Sequence, residues 1–312
     1  MEEYRLQSRA MQVTYNISTW TARKYDRKVS REVDKNHGTL REAGRYNKIL
    51  IDLTELKELN RHACSTRQYI LDNSAAWLNK GTRIITPEIY FDFTKEIRDR
   101  KEKFWDLYHE FEPKYPDLRA AAKFELQDMF NIEDYPNPLW LKSKFGFEVT
   151  ITPIPTLDLM NDLRTGIGDE EVEIIKAETE ERMTVMYNRG IIELYDRLDV
   201  VVKHLVDKLS TYGDGSRIHK SLIGNIVGMI DLAGKLNYTK DSQLETIRRK
   251  MEKTLATYDT DDFKNLEDVR VAAVMDARSI RKDINGAKEA LRNPKEAEAK
   301  VDSIVKDMAA YM

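Results

Sequence analysis

The stretch "IIELYDRLDVVVKHLVDKLSTY", residues 191–212, decides the fold class. Ile191, Tyr195, Leu198, Val202, Leu205 and Leu209 recur at spacings of 4-3-4-3-4. That rhythm is a heptad seam and predicts a long helix packed along a partner. A half-buried strand would alternate with a period of two instead. The seam has two readings. It closes an internal bundle, or it is an interaction seam between chains.

Toward the C-terminus the helical spacing continues. Ile218, Leu222, Ile226, Met229, Ala233 and Leu236 follow the glycines at 213 and 215, and Leu244, Ile247, Met251, Leu255 and Tyr258 mark a helix from about 241. Ala273, Ala277, Ile280, Ile284, Ala287 and Leu291 form another seam, and Asn293-Pro294-x-Glu296 caps a last helix carrying Val301, Ile304 and Met308. Short turns between such segments predict an antiparallel bundle of about five helices with coiled-coil-like heptads. Gly224 and Gly228 read as a device for close helix packing within it. The glycines and acids of "RTGIGDEE" (164–171) mark a boundary, so residues 1–165 are expected as one domain and 166–312 as the bundle.

The N-terminal half is expected to be helical with a small two-stranded β-ribbon. In "MQVTYNIS" (11–18), Met11, Val13, Tyr15 and Ile17 alternate with polar residues. "FEVTIT" (147–152) is its match, with Phe147, Val149 and Ile151 on the apolar side. Pro136 and Pro138 precede this second strand, while Pro153 and Pro155 close it, because proline cannot donate to a ladder. Between the strands, Thr39 and Glu42 form a capping-box pattern that predicts a helix running to about residue 75. Thr86 before Pro87 opens a helix over 86–111 with an aromatic stripe of Tyr90, Phe93, Phe104, Tyr108 and Phe111. A shorter helix follows Pro116. The fold class is therefore mainly α.

Composition excludes more than it assigns. Charged residues make up 34% of the 312, above the usual quarter, as long solvated helices require. A net charge of −3 gives no global argument for nucleic acid or membrane. The single cysteine, Cys64, fits a reducing cytoplasm, and it reads as a small hydrophobe within a helix rather than a nucleophile. The N-terminus lacks the apolar core of a signal peptide, and the most apolar helical stretch (221–234) is too short to span a bilayer. No Walker, dinucleotide, nucleophile-elbow or zincin motif is present. The five histidines are scattered, so no metal, cofactor or catalytic residue is assigned. "YDTDDFKNLED" (258–268) lacks the glycine and spacing of a calcium loop and reads as a turn with Thr260 or Asp261 as N-cap. An enzyme is not expected.

One segment carries a sharper signal. Residues 1–48 hold eleven Lys/Arg against six Asp/Glu, and Trp20 and Tyr25 sit among Arg23, Lys24, Arg27, Lys28 and Arg31. Cations that track phosphates beside aromatics that stack on bases are the ingredients of single-strand binding. The alternative is that Trp20 anchors a strand end in the core while the cations face acidic protein, such as the helix start at 169–181.

The order "WTARK" (20–24), "KILIDLTELKELN" (48–60), "AAWLNKGTRIITPEIYFDF" (75–93), "FWDLYHEFEPKYP" (104–116), "MFNIEDYPNPLWLKSKF" (129–145) and "ITPIP" (151–155) resembles a family of phage-encoded proteins of unknown function. Members are often encoded beside a MoxR-type AAA+ ATPase and a von Willebrand A-domain protein. The Gly81-Thr82-Arg83-Ile84 turn into Pro87, the Asp134-Tyr135-Pro136 break and Pro153-x-Pro155 carry most of the likeness. It covers the first half of the chain and implies a phage setting in the host cytoplasm and an AAA+ ATPase as a candidate partner. It supplies no catalytic residues. The expectation is a non-enzymatic interaction or assembly protein, binding itself or a phage complex, with single-stranded DNA binding through the basic segment as the alternative.

Overall fold

The computed structural model describes residues 10–77, 81–154, 169–213 and 217–292. The chain is mainly helical, in the order β1 (Met11–Ser18), β2 (Arg23–Tyr25), α1 (Arg27–Asn36), β3 (Asn47–Ile49), α2 (Thr54–Asp72), β4 (Ala75–Ala76), β5 (Thr82–Ile85), α3 (Pro87–Phe111), α4 (Tyr115–Leu126), β6 (Gly146–Pro153), α5 (Asp169–Ser210), α6 (Ser221–Lys235), α7 (Ser242–Thr254), α8 (Asp262–Asn265) and α9 (Glu267–Arg292). It divides into two compact units. One is Thr14–Asp72 with Asp92–Thr150; the other is Met1–Val13, Asn73–Phe91 and Ile151–Met312. The expected boundary glycines lie outside the described residues, and the units interleave along the chain rather than meeting at a single cut.

The β-component is larger than a ribbon. β1 and β6 are neighbours, as their alternation requires, but they form half of a four-stranded sheet ordered β4-β5-β1-β6. Val13 and Ile17 are buried while Thr14, Asn16 and Ser18 are exposed. At the start of β6 a Cβ on Gly146 would stand 2.8 Å from Ser18 Oγ, so glycine admits the close approach. β2 and β3 form a separate antiparallel pair with Arg23 opposite Ile49 and Tyr25 opposite Asn47.

Four residues of the predicted aromatic stripe are core of the first unit, Phe93, Phe104, Tyr108 and Phe111 all being at most 2% exposed, while Tyr90 is half-buried and belongs to the other unit. Phe104 meets Phe147 edge to face at 5.4 Å, and Tyr108 meets Phe145 at 5.1 Å. The helix expected from Thr39 does not form there; α2 begins at Thr54, where Asp52 accepts from the Thr54 N–H at 2.9 Å. Thr39 Oγ1 instead donates to the Asp34 carbonyl, and Glu42 accepts from the Tyr25 hydroxyl. Cys64 is exposed on α2, against the expectation of a packed thiol.

In the second unit α5 packs chiefly against α9 and α6, with α7 against both α6 and α9. Tyr195 Oη donates to Asp241, whose carboxylate also caps α7 through the Leu244 N–H. Asp199 accepts from Arg281 at 2.7 Å, and Asp196 pairs with Lys288, lacing α5 to α9. Gly224 and Gly228 face open space, so they are not the packing device expected of them. The last predicted helix lies outside the described residues.

Candidate functional site

The heptad residues are consumed inside the chain. Ile191, Tyr195, Leu198, Val202, Leu205 and Leu209 are each at most 5% exposed. Their burial against α9 and α6 makes the seam internal, which corrects its reading as an interaction surface.

The basic segment forms a lobe built from β2, α1, a loop and β3. Asp26 starts α1, its carboxylate accepting from the Lys28 and Val29 N–H groups at 3.1 Å. The Val29 bond is the main reason the Asp26 carboxyl titrates below its ordinary value, with Lys48 adding to it against the opposing effect of burial. Gly38 (φ 62) turns the chain out of the helix, and the loop is stapled back onto it. Ala43 N–H donates to Asp34 Oδ1, Tyr46 N–H to Ser30 Oγ, and Asp26 N–H to the Tyr46 carbonyl. At the base, Leu50 N–H closes onto the Ala22 carbonyl, with Ala22 at φ 49.

Lys48 braces this lobe from within. It is 4% exposed, pairs with Asp134 at 2.7 Å and Asp26 at 3.6 Å, and donates to the Met129 carbonyl. A buried ammonium so fully partnered is structural. Trp20 is likewise structural: it is 8% exposed and meets Tyr115 edge to face at 5.5 Å. It is therefore removed from the proposed stacking set. Tyr25 remains partly exposed, but Arg45 lies 5.6 Å from its ring centroid and its hydroxyl is committed to Glu42.

The predicted cations fare differently. Arg23, Lys24, Arg27, Lys28 and Arg31 are all exposed, and none has an ion-pair partner among the described residues. Between residues 23 and 46 there are eight Lys/Arg against four Asp/Glu. Arg27 and Lys28 occupy the first turn of α1, where the helix dipole is positive and no acid is present. Each costs the helix about 0.3–1 kcal/mol at most. Cations held where the local fold disfavours them suit an anionic partner. Beside them, Ser30, Val33, Asp34, His37, Arg45 and Tyr46 line a cleft of about 370 Å³.

Two further clefts carry less. One of about 370 Å³ between α7 and α9 contains the Lys250–Asp283 pair. One of about 490 Å³ is lined by Ile49, Leu53 and Leu126 with Asp52 and Glu125. Among the described residues no three His, Cys, Asp or Glu side chains gather to hold a metal, and no helix is long and apolar enough to cross a membrane.

Comparison with known protein families, curated protein sequences and solved structures returns no match for this chain.

Proposed function

We propose that this chain is a non-enzymatic interaction protein that docks an acidic protein surface through the basic lobe. The observation that carries the reading is the group of five exposed cations, Arg23, Lys24, Arg27, Lys28 and Arg31, without counter-ions among the described residues, on a braced scaffold. A protein surface suits them better than a nucleic-acid strand for two reasons. Trp20 is withdrawn into the core and Tyr25 lies under Arg45, so the stacking platforms that single-strand binding needs are spent. Glu32, Asp34 and Glu42 are also interspersed with the cations, which suits a mixed protein surface better than a uniform phosphate track. The family resemblance adds a setting to this proposal, a phage complex that includes a MoxR-type AAA+ ATPase.

Retention of the purified chain on immobilised poly-L-glutamate and on oligothymidylate, followed as salt rises, tests the reading. Wild type is expected to be held by polyglutamate, and the Arg23→Glu, Arg27→Glu, Lys28→Glu, Arg31→Glu variant to be released at once. Oligothymidylate retention that outlasts polyglutamate would turn the reading to nucleic acid. Retention on neither would end it.

A further inference from the structure

The acidic surface that the lobe fits is present in this same sequence. Between Asp169 and Arg182 there are seven Asp/Glu against two Lys/Arg. This is the N-terminal part of α5. From Glu170 to Arg189 no residue whose side chain is described is buried. Glu170, Ile174, Glu178, Glu181 and Val185 follow one another at 4-4-3-4, a single stripe about 22 Å long at the helical rise.

Two observations set this stripe apart from an ordinary solvated face. Glu170, Glu171 and Glu181 have no ion-pair partner among the described residues, and the Glu178–Arg182 pair is an exposed contact at 3.4 Å that stabilises little. Ile174 and Val185, in the same stripe, are 50% and 63% exposed. The lobe offers the complement. Arg27, Arg31 and Lys35 run at 4-4 along α1, with Arg23 and Lys24 beside them on β2. Val33, which borders the cleft, and Leu40 are the exposed apolar residues among these cations.

We propose that the acidic half of α5 in one copy docks on the basic lobe of a second copy. The proposal rests on the docking reading above and names its partner. Both charge stripes have the helical period, so two helices laid side by side bring several opposite charges within reach together. The exposed apolar residues then cover one another, which removes from water a surface that the isolated chain leaves wet. Because the two surfaces differ, the contact is heterologous, and each copy that docks presents a free lobe or a free acidic stripe to the next. The products are rings or open chains, weakened by salt because exposed charges are screened.

Light scattering of the full chain tests this with two charge-reversed variants. The lobe variant carries Arg23→Glu, Arg27→Glu and Arg31→Glu; the stripe variant carries Glu170→Lys, Glu171→Lys and Glu181→Lys. All six sites are exposed; an acid at position 27 suits the start of α1, while lysines at 170 and 171 oppose the dipole at the start of α5, so circular dichroism is expected to lose at most the first turn of α5 in the stripe variant. Wild type is expected above the 36.5 kDa chain mass, falling toward it in high salt. Each variant alone is expected at the chain mass, and an equimolar mixture above it, since the intact lobe of one meets the intact stripe of the other and the two reversed surfaces are again opposite in charge.

A monomeric mixture would overturn the pairing. A stripe variant that keeps the wild-type mass while the lobe variant loses it would also overturn it, and would leave the docking reading standing. A lobe variant that kept a wild-type mass above that of the chain would also overturn it, and would leave the docking reading to polyglutamate retention. Wild type at the chain mass at every concentration would remove the second copy as partner, and polyglutamate retention would then decide the docking reading separately.

Discussion

The two halves of α5 share one helix of 42 residues and behave as different materials. From Ile191 to Leu209 six apolar residues keep the 4-3 rhythm, and all six are at most 5% exposed. From Glu170 to Arg189 the apolar residues are irregularly spaced and none with a described side chain is buried. The first half of the helix is held at its C-terminal end by Tyr187, which meets Trp77 at 5.2 Å and Tyr238 at 6.2 Å, and gains further from propensity, from acids near the positive end of the dipole and from local pairs such as Glu178–Arg182. Such sources are marginal for a helix without tertiary packing. A helix continuous through both regimes teaches that packing is concentrated in one half, while the other adds chiefly propensity and local pairs.

Substitutions probe that contrast in order of effect. Leu198→Ala, at a fully buried seam position, should cost about 4 kcal/mol in urea unfolding; a cost under a quarter of that would mean the seam is not the core. Glu193→Gln should cost about 3 kcal/mol, because Arg83 is buried against it at 2.9 Å and would lose its carboxylate. Burial raises the Glu193 pKa, but Arg197 and Arg83 together outweigh this and hold it below the ordinary 4.5. Its contribution is therefore present above that value and lost as pH falls through the lowered one. A stability–pH profile of Glu193→Gln should lack that acid-side loss.

At the junction of the halves, Gly190→Ala should cost about 2 kcal/mol. An added Cβ there would meet the Tyr238 hydroxyl and come within 2.8 Å of the Ala76 carbonyl. A thermal melt that did not move would show that β4 yields easily. Val185→Ala, in the exposed half, should stay within about 0.5 kcal/mol of wild type by the same unfolding measurement. A larger loss would show that Val185 is covered, and would sharpen the contrast into a question of what covers it.

The bundle was legible in the sequence because heptads and burial share one period. The alternation of β1 and β6 was legible for the same reason. β2 was not, since Arg23-Lys24-Tyr25 contains no alternation, and β5 was not, since all four of its residues are buried on both faces. The false helix start at Thr39 shows a capping pattern diverted by a neighbour: Asp34 offers Thr39 a carbonyl, and Tyr25 takes Glu42. The lobe's cations were found by their clustering. The role of Trp20 was not, because an indole beside basic residues looks alike whether it stacks on a ligand or on Tyr115. Nor does a heptad say whether its partner helix belongs to the same chain.

The Arg83–Glu193 cluster has a consequence for the chain as it is made. Its two ends are 110 residues apart, with Arg83 on a strand whose every residue is buried and Arg197 and the Ala76 N–H completing the contacts around Glu193. At translation rates of about 5–20 residues per second, β5 leaves the ribosome roughly 10 s before the helix that supplies its carboxylate. Through that interval the strand has its sheet neighbours β4 and β1 but not α5, and its guanidinium awaits its counter-charge. Nascent chains are then most open to mispairing and to proteases, and slower translation between β5 and α5 lengthens the exposure.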